Sequence, residues 1–141
     1  MSDLSKTKQV LIIDKQSFWR DKARKALIGK GYRVQTCNNY DYDPSHGYFP
    51  EGPPDLVILG CPNLKYEERA LIDKVLADHR HLVVFCSSLP WGDMRTLFMA
   101  GADDVVDKPY DSARVVTIVE EAFANMGNSN SFRPGERKGV G

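Results

Sequence analysis

The chain has 141 residues, of which 42% are hydrophobic and 27% are charged, a composition typical of one globular domain whose core needs no metal or disulfide bridge. Nineteen lysines and arginines balance nineteen aspartates and glutamates, which excludes the overall electrostatic field that attracts nucleic acid or an anionic membrane. No apolar run approaches the roughly 20 residues that a membrane-spanning helix needs, and the first eight residues lack the apolar segment of a signal peptide.

Five short segments predict the strands of one sheet. Four of them are continuous apolar runs, typical of strands that are buried on both faces of a parallel sheet. The second segment alternates apolar and polar residues, as an edge strand with one wetter face does. In chain order the five are Val10–Ile13, Tyr32–Thr36, Leu56–Leu59, Leu82–Phe85 and the shorter Val105–Val106.

Apolar residues recur at helical spacing in four segments between and after these strands. Gly31 predicts the end of the first helix, and the second begins near Tyr66. The four apolar faces are Trp19, Ala23, Ala26, Leu27 and Ile28; Leu71, Val75 and Leu76; Met94, Leu97, Phe98 and Met99; and Val115, Ile118, Val119, Ala122 and Phe123. Alternating strands and helices predict an α/β fold, a doubly wound five-stranded parallel sheet with the flavodoxin-like order 2-1-3-4-5.

The segment Asn38–Pro54 occupies the place of a second helix but is rich in residues that break helices. Each interior proline costs a helix about 3 kcal/mol, so we expect a helix that is short or missing and otherwise a long loop. Its aromatic residues have two interpretations: they cover the sheet, or, with Trp91, they form a surface for a partner. The helix breakers are Pro44, Gly47, Pro50, Gly52, Pro53 and Pro54, and the aromatic residues are Tyr40, Tyr42, Tyr48 and Phe49.

These elements divide the chain into three parts. We expect an N-terminal arm at residues 1–8 and a folded domain at residues 9–126. Residues 127–141 are polar and rich in helix breakers, which is typical of a disordered tail or of a linker.

In a sheet of this order, ligands bind beyond the carboxyl ends of the strands, at the switch point between the first and third strands. The residues predicted to meet there are Asp14 and Lys15, Gly60 and Cys61, Cys86, Ser87 and Ser88, and Lys108. Three motifs end at this edge: Val10–Asp14, Asp55–Gly60, and Gly101–Tyr110 with its Lys108-Pro109 pair. Together they resemble the receiver domain of two-component response regulators, the CheY-like superfamily. The resemblance extends over roughly residues 8–125.

The resemblance implies a role for each residue of the pocket, and four of the six signature positions are changed. Asp14 matches the first acid of an acidic pair and Lys108-Pro109 matches an invariant pair, for which the resemblance implies a cis peptide bond before Pro109. The changed positions are Lys15 at the second acid, Gly60 at the aspartate that is phosphorylated, Cys86 (followed by Ser87) at the hydroxyl that binds the phosphoryl group, and Val105 at the Tyr or Phe switch position.

These changes remove about two negative charges from the pocket and add one positive charge, so Mg²⁺ would meet a poor set of ligands. We therefore expect a degenerate pocket, a pseudo-receiver with no enzyme activity, no metal and no cofactor. Lys15 and Lys108 are both expected to interact with Asp14 in place of a metal, although Lys15 could point to solvent. The remaining possibility is that Asp55 or Asp14 accepts phosphate instead. Asp55 lies at the other end of its strand, about 17 Å away at 3.3 Å per residue, and Asp14 lacks metal partners.

The three cysteines are odd in number and have no C-x-x-C spacing, which predicts a reducing cytoplasm. Cys37, Cys61 and Cys86 all fall near strand ends, where nearby lysines could lower a thiol pKa, but we favour their role as small apolar residues. His46, His79 and His81 have no zinc-site spacing with them.

The favoured function is a phosphorylation-independent signalling module of a two-component phosphorelay that acts through protein–protein contacts. The resemblance implies a homodimer formed by the fourth helix, the fifth strand and the fifth helix, without membrane or direct nucleic-acid binding by this domain. The alternative is a module that senses a small anion between Lys15 and Lys108, or redox state through its thiols.

Overall fold

The computed structural model describes residues 7–43, 45–61, 65–78, 81–87, 89–108 and 111–127. The expected cis bond before Pro109, Ser88, most of the N-terminal arm and nearly all of the tail lie outside these ranges. The strands are β1 (Gln9–Ile13), β2 (Arg33–Cys37), β3 (Leu56–Cys61), β4 (Leu82–Cys86) and β5 (Asp104–Asp107). The helices are α1 (Ser17–Gly29), α2 (Tyr66–Asp78), α3 (Trp91–Ala100) and α4 (Ser112–Gly127).

All five strands pair in parallel in the order β2-β1-β3-β4-β5, which confirms the predicted flavodoxin-like sheet. Every residue of β1, β3 and β4 is buried, whereas β2 is partly exposed. The three longer apolar runs therefore mark the central strands, whereas the alternating segment and the short run Val105–Val106 mark the two edges, as parallel sheets with helices on both faces require.

Two apolar layers cover the sheet. On one face, α1 and α4 pack against the side chains of Val10, Ile12, Ile58 and Phe85, and Trp19 meets Phe85 edge to face with ring centroids 5.2 Å apart. On the other face, Ile72 and Val75 of α2 and Leu97 of α3 cover Leu11, Ile13, Val57 and Val84. Two predicted core positions are exposed instead, because Ile28 and Met99 lie on the solvent sides of their helices.

The segment between β2 and β3 covers part of the second face without a regular α-helix. Its described residues contain one 3₁₀ turn at Asn39–Asp41, which agrees with the expected missing helix. Tyr42 and Phe49 are buried in the same core as Leu11 and Leu59, and Tyr48 stacks on Tyr42 at 6.2 Å between centroids. These aromatic residues replace the helix as a cover of the sheet. Among the predicted surface aromatics whose side chains the structure describes, which do not include Tyr40, Trp91 is the exposed one.

Two aspartates fix the amino-terminal edge of the sheet. Asp55 Oδ2 accepts a 2.8 Å hydrogen bond from the backbone N–H of Gln9, and Asp103 Oδ2 accepts one of 2.8 Å from Leu82. Each carboxylate satisfies a strand N–H that would otherwise lack a partner. Asp55 thus has a structural role at the edge opposite the candidate site.

Candidate functional site

The carboxyl ends of β1, β3, β4 and β5 bring the predicted pocket residues to one edge of the sheet. The registers pair Ile13 with Leu59, Cys61 with Cys86, and Cys86 with Asp107. Asp14 therefore leaves β1 beside Gly60 of β3, and Lys108 follows β5 at the same edge. The strand ends thus assemble the pocket that the sequence predicts.

Asp14 and Lys108 form a buried ion pair. Asp14 Oδ2 lies 2.6 Å from Lys108 Nζ, and the two side chains are 2% and 7% exposed. The other carboxylate oxygen, Oδ1, accepts a 2.7 Å hydrogen bond from the backbone N–H of Gln16. Oδ1 is thus hydrogen-bonded to the backbone, whereas the buried Oδ2 faces Lys108 as an ion pair and has no hydrogen-bond partner within the described residues.

The ammonium group of Lys108 has two further contacts that sequence reasoning did not identify. It donates a hydrogen bond to Gln16 Oε1, and it lies 4.7 Å from the ring centroid of Trp19, within the range of a cation–π interaction. Arg20 Nη1 holds the backbone nearby by donating to the carbonyl oxygen of Asp14 at 2.7 Å. The sequence offers one signal for Gln16. An aspartate that follows a strand commonly accepts a hydrogen bond from the backbone N–H two residues on, and Gln16 stands two residues after Asp14.

The absence of a side chain at Gly60 makes room for the Asp14 carboxylate. A Cβ atom at residue 60 would lie 2.0 Å from Asp14 Oδ2 and 2.5 Å from Asp14 Cγ, far inside van der Waals contact. The space in which a side chain of residue 60 would begin is therefore already occupied by the carboxylate of residue 14. A side chain at residue 60 and the observed position of Asp14 exclude each other.

Lys15 has a partner that the sequence did not predict, and its expected contact with Asp14 stays a prediction. Its Nζ lies 3.9 Å from Glu68 Oε2 of α2, whereas the Asp14 carboxylate pairs with Lys108. A small cavity of about 180 Å³ lies beside this contact and is lined by Lys15, Asn39, Glu67, Glu68 and Leu71. Asn39 also donates from Nδ2 to the carbonyl oxygen of Gly60 at 3.3 Å.

Ligands for a metal ion are few at this edge. Within the described ranges, no three His, Cys, Asp or Glu side chains come together in a way that could hold a metal. Asp14 is already ion-paired with Lys108 and accepts from the backbone N–H of Gln16, and the next position in the sequence holds Lys15 where a second acid is expected. Mg²⁺ requires several hard oxygen ligands in octahedral geometry, which this arrangement does not offer.

The remaining signature positions lack the usual chemical groups. Cys86 is buried, and its thiol donates to the carbonyl oxygen of Val106 at 3.5 Å. Ser87 is exposed beside it. Val105, at the position that the resemblance assigns to the switch residue, is buried in the apolar core under α3 and has a short β-branched side chain with restricted χ1 rotation.

Burial makes two of the three thiols poor nucleophiles. It is the main cause that raises the pKa of Cys37 and of Cys86 above the usual value, and a raised pKa lowers the thiolate fraction at neutral pH. We expect both to react with iodoacetamide at pH 8 more slowly than glutathione, as followed by mass spectrometry of the folded protein. The same sites in guanidinium chloride serve as the control, and equal or faster modification of the folded protein would contradict this expectation.

No protein-family profile matches the chain, and no curated protein matches it in sequence. Solved structures do match its fold. The receiver domain protein (CheY-like) of Methanospirillum hungatei JF-1 superposes with a TM-score of 0.70 at 17% identity, over 89% of this chain and 100% of that one. HP1043 of H. pylori, described as an orphan response regulator, gives 0.63 at 20% identity, over 82% and 95%.

NtrX of Brucella abortus superposes with a TM-score of 0.68 at 21% identity and covers 84% of this chain. The present chain spans only about a quarter of NtrX, 27% of its length. At these identities the similarity establishes the fold, which is that of CheY-like response regulator receiver domains. Over the described residues, no helix combines the length and the apolar character needed to cross a membrane.

Proposed function

We propose that this protein is a pseudo-receiver, a signalling module of two-component type that works without aspartyl phosphorylation and acts through contacts with other proteins. The observation that supports this most directly is the overlap of a Cβ atom at residue 60 with the Asp14 carboxylate. The residue that would accept the phosphoryl group has no side chain, and the space for one is filled.

The electrostatics of the pocket favour the same conclusion. In a working receiver, a divalent cation offsets a cluster of carboxylates, as the resemblance implies. Here the buried carboxylate of Asp14 is offset by the ammonium of Lys108 at 2.6 Å. A buried charge that is already paired and hydrogen-bonded gains little from a metal ion and would lose its present partners to bind one.

Neither alternative acceptor is well placed. Asp14 is buried, ion-paired through Oδ2 and hydrogen-bonded through Oδ1, and an acyl phosphate there would have to break the pair with Lys108. Asp55 lies at the opposite edge and accepts from Gln9. We accordingly propose that the protein is not an enzyme and uses no cofactor.

The test is phosphorylation by acetyl phosphate in the presence of MgCl₂, followed by intact mass measurement. We expect no species heavier by one phosphoryl group, whereas a conventional receiver domain treated in parallel gains one. We also expect no change in melting temperature with Mg²⁺ and beryllofluoride, because a ligand that binds the native state must stabilise it. A phosphorylated species, or a melting shift of several degrees at millimolar Mg²⁺, would refute the proposal.

The alternative functions have less support. A small anion between Lys15 and Lys108 would compete with Glu68 and Asp14, the carboxylates that these lysines already contact. Redox sensing would need a reactive thiolate, and burial raises the pKa of Cys37 and Cys86. Melting in the presence of inorganic phosphate tests the first alternative, since a bound anion would raise the melting temperature.

Three further parts of the proposal rest on the resemblance and on composition. The surface of α3, β5 and α4 corresponds to the fourth helix, fifth strand and fifth helix used by receivers for dimers, so homodimerisation there is proposed. The balanced charge favours a domain that does not bind nucleic acid directly. The scattered cysteines favour the cytoplasm.

A further inference from the structure

Helix α3 exposes a row of large side chains that do not pack into the hydrophobic core. Trp91, Arg95 and Met99 follow one another at intervals of four residues and therefore share one side of the helix. Trp91 is 75% exposed and Met99 is 65% exposed, although the sequence pattern places Met99 on the apolar face. Large exposed apolar side chains that lie together are a mark of an interaction site.

This row forms one wall of a groove between α3 and α2. The groove has a volume of about 320 Å³, and Arg69 of α2 and Gly92, Thr96 and Ala100 of α3 complete its lining. The guanidinium carbon of Arg95 lies 5.9 Å from the ring centroid of Trp91. The lining therefore combines small residues of α3 with an aromatic ring, a thioether and two guanidinium groups.

The groove is cationic in a chain whose net charge is zero. Two arginines line it, and no aspartate or glutamate does. Asp73 lies 3.5 Å from Arg69 Nε, but both side chains are about half exposed, at 60% and 45%, and such surface pairs contribute little. The two guanidinium groups are therefore available to a carboxylate that approaches from outside.

We propose that this groove, defined by Arg69, Trp91, Arg95 and Met99, binds a short segment of a partner protein that places an acidic side chain beside apolar ones. The carboxylate would lie between the two arginines, which suit planar bidentate binding, and the apolar side chains would cover Trp91 and Met99. Tryptophan, arginine and methionine are the residue types that interfaces favour. The inference rests on the proposed action through protein contacts, and it names a surface on the α2 side of α3, apart from the α3–β5–α4 surface.

The experiment is selection of a random 12-residue peptide library displayed on phage against the full chain. Peptides retained by the wild-type protein are counter-selected against the Arg69→Glu, Arg95→Glu double variant. The matched control is Arg24→Glu on α1, across the sheet, where Arg24 is 43% exposed and has an aspartate, Asp21, at 3.8 Å. Melting curves of the variants establish that each is folded.

We expect the selected peptides to combine Asp or Glu with Leu, Phe or Trp. They should bind the double variant at least about tenfold more weakly than the wild type and should bind the Arg24→Glu variant with the same affinity as the wild type. Trp91→Ala should weaken binding by a similar factor.

Three results would overturn the inference: selected peptides that lack acidic residues, peptides that bind the double variant as tightly as the wild type, and a selection that yields no peptide above background. So would a homodimer that the Arg95→Glu substitution dissociates, since the occupant would then be a second copy. The acetyl phosphate experiment is independent of all these outcomes, so a failure of this surface and a failure of the pseudo-receiver proposal can be told apart.

Discussion

Replacing Gly60 with alanine is expected to lower the free energy of unfolding by about 3 kcal/mol, the scale of overpacking a core combined with breaking a buried ion pair. The added Cβ would lie 2.0 Å from Asp14 Oδ2, so the carboxylate has to move. Moving it separates Asp14 from Lys108 and from the N–H of Gln16. One methyl group therefore disturbs two charges that are shielded from water.

Urea denaturation measures this change, and Gly29→Ala provides a matched control. Gly29 ends α1, and a Cβ atom added there would have nothing within 4 Å, so alanine is expected to be neutral or to stabilise the protein slightly. In an Asp14→Ala background the cost of Gly60→Ala should fall by more than the additivity limit of about 0.5 kcal/mol. A Gly60→Ala variant as stable as the wild type would show that a Cβ atom at residue 60 can be accommodated without loss of the Asp14 interactions.

The strands could be predicted from the sequence because their physical signals are local, whereas their order follows from the general rule for alternating strands and helices. Val10–Ile13, Leu56–Leu59 and Leu82–Phe85 are apolar without interruption, which only strands covered on both faces tolerate. The breaker residues between Asn38 and Pro54 similarly exclude a regular helix. Each of these inferences needs only the neighbours of a residue along the chain.

The partners of the pocket residues could not be predicted in the same way. Adjacency in sequence suggests that Lys15 lies beside Asp14, but it does not show which other carboxylates the Lys15 ammonium approaches. The ammonium lies 3.9 Å from Glu68, a residue on a helix that no motif connects to the pocket. Likewise, the sequence shows that residue 60 lacks a side chain, but only the assembled sheet shows which atom fills the space.

The aromatic residues between β2 and β3 illustrate the same limit. Tyr42 and Phe49 have no periodicity that distinguishes a cover of the sheet from a partner surface, and both are buried. Trp91 is aromatic like them, but its side chain is exposed. Long-range packing decides between the two roles, and it depends on the space that a missing helix leaves.

Asp14→Ala is the second substitution with a large expected effect, a loss of about 3 kcal/mol in the free energy of unfolding. It removes the carboxylate from an ammonium group whose side chain is only 7% exposed, and an unpaired buried charge is costly. Gln16 Oε1 and the ring of Trp19 still contact Lys108, which keeps the loss near the lower end of the range for broken buried pairs. Urea denaturation again supplies the measurement.

A double-mutant cycle identifies which lysine is responsible. Adding Lys108→Met to Asp14→Ala should recover a large part of the stability, because replacing both members of a buried pair with apolar groups removes the unpaired charge. Adding Lys15→Ala should instead be additive within about 0.3–0.5 kcal/mol, since Lys15 interacts with Glu68 at 3.9 Å. Coupling of Asp14 to Lys15 in place of Lys108 would mean that the ammonium of Lys15 takes the position of the metal ion. Coupling to Lys108 would mean that the lysine following β5 neutralises the pocket, with the Asp14 carboxylate occupying the space where a side chain of residue 60 would begin.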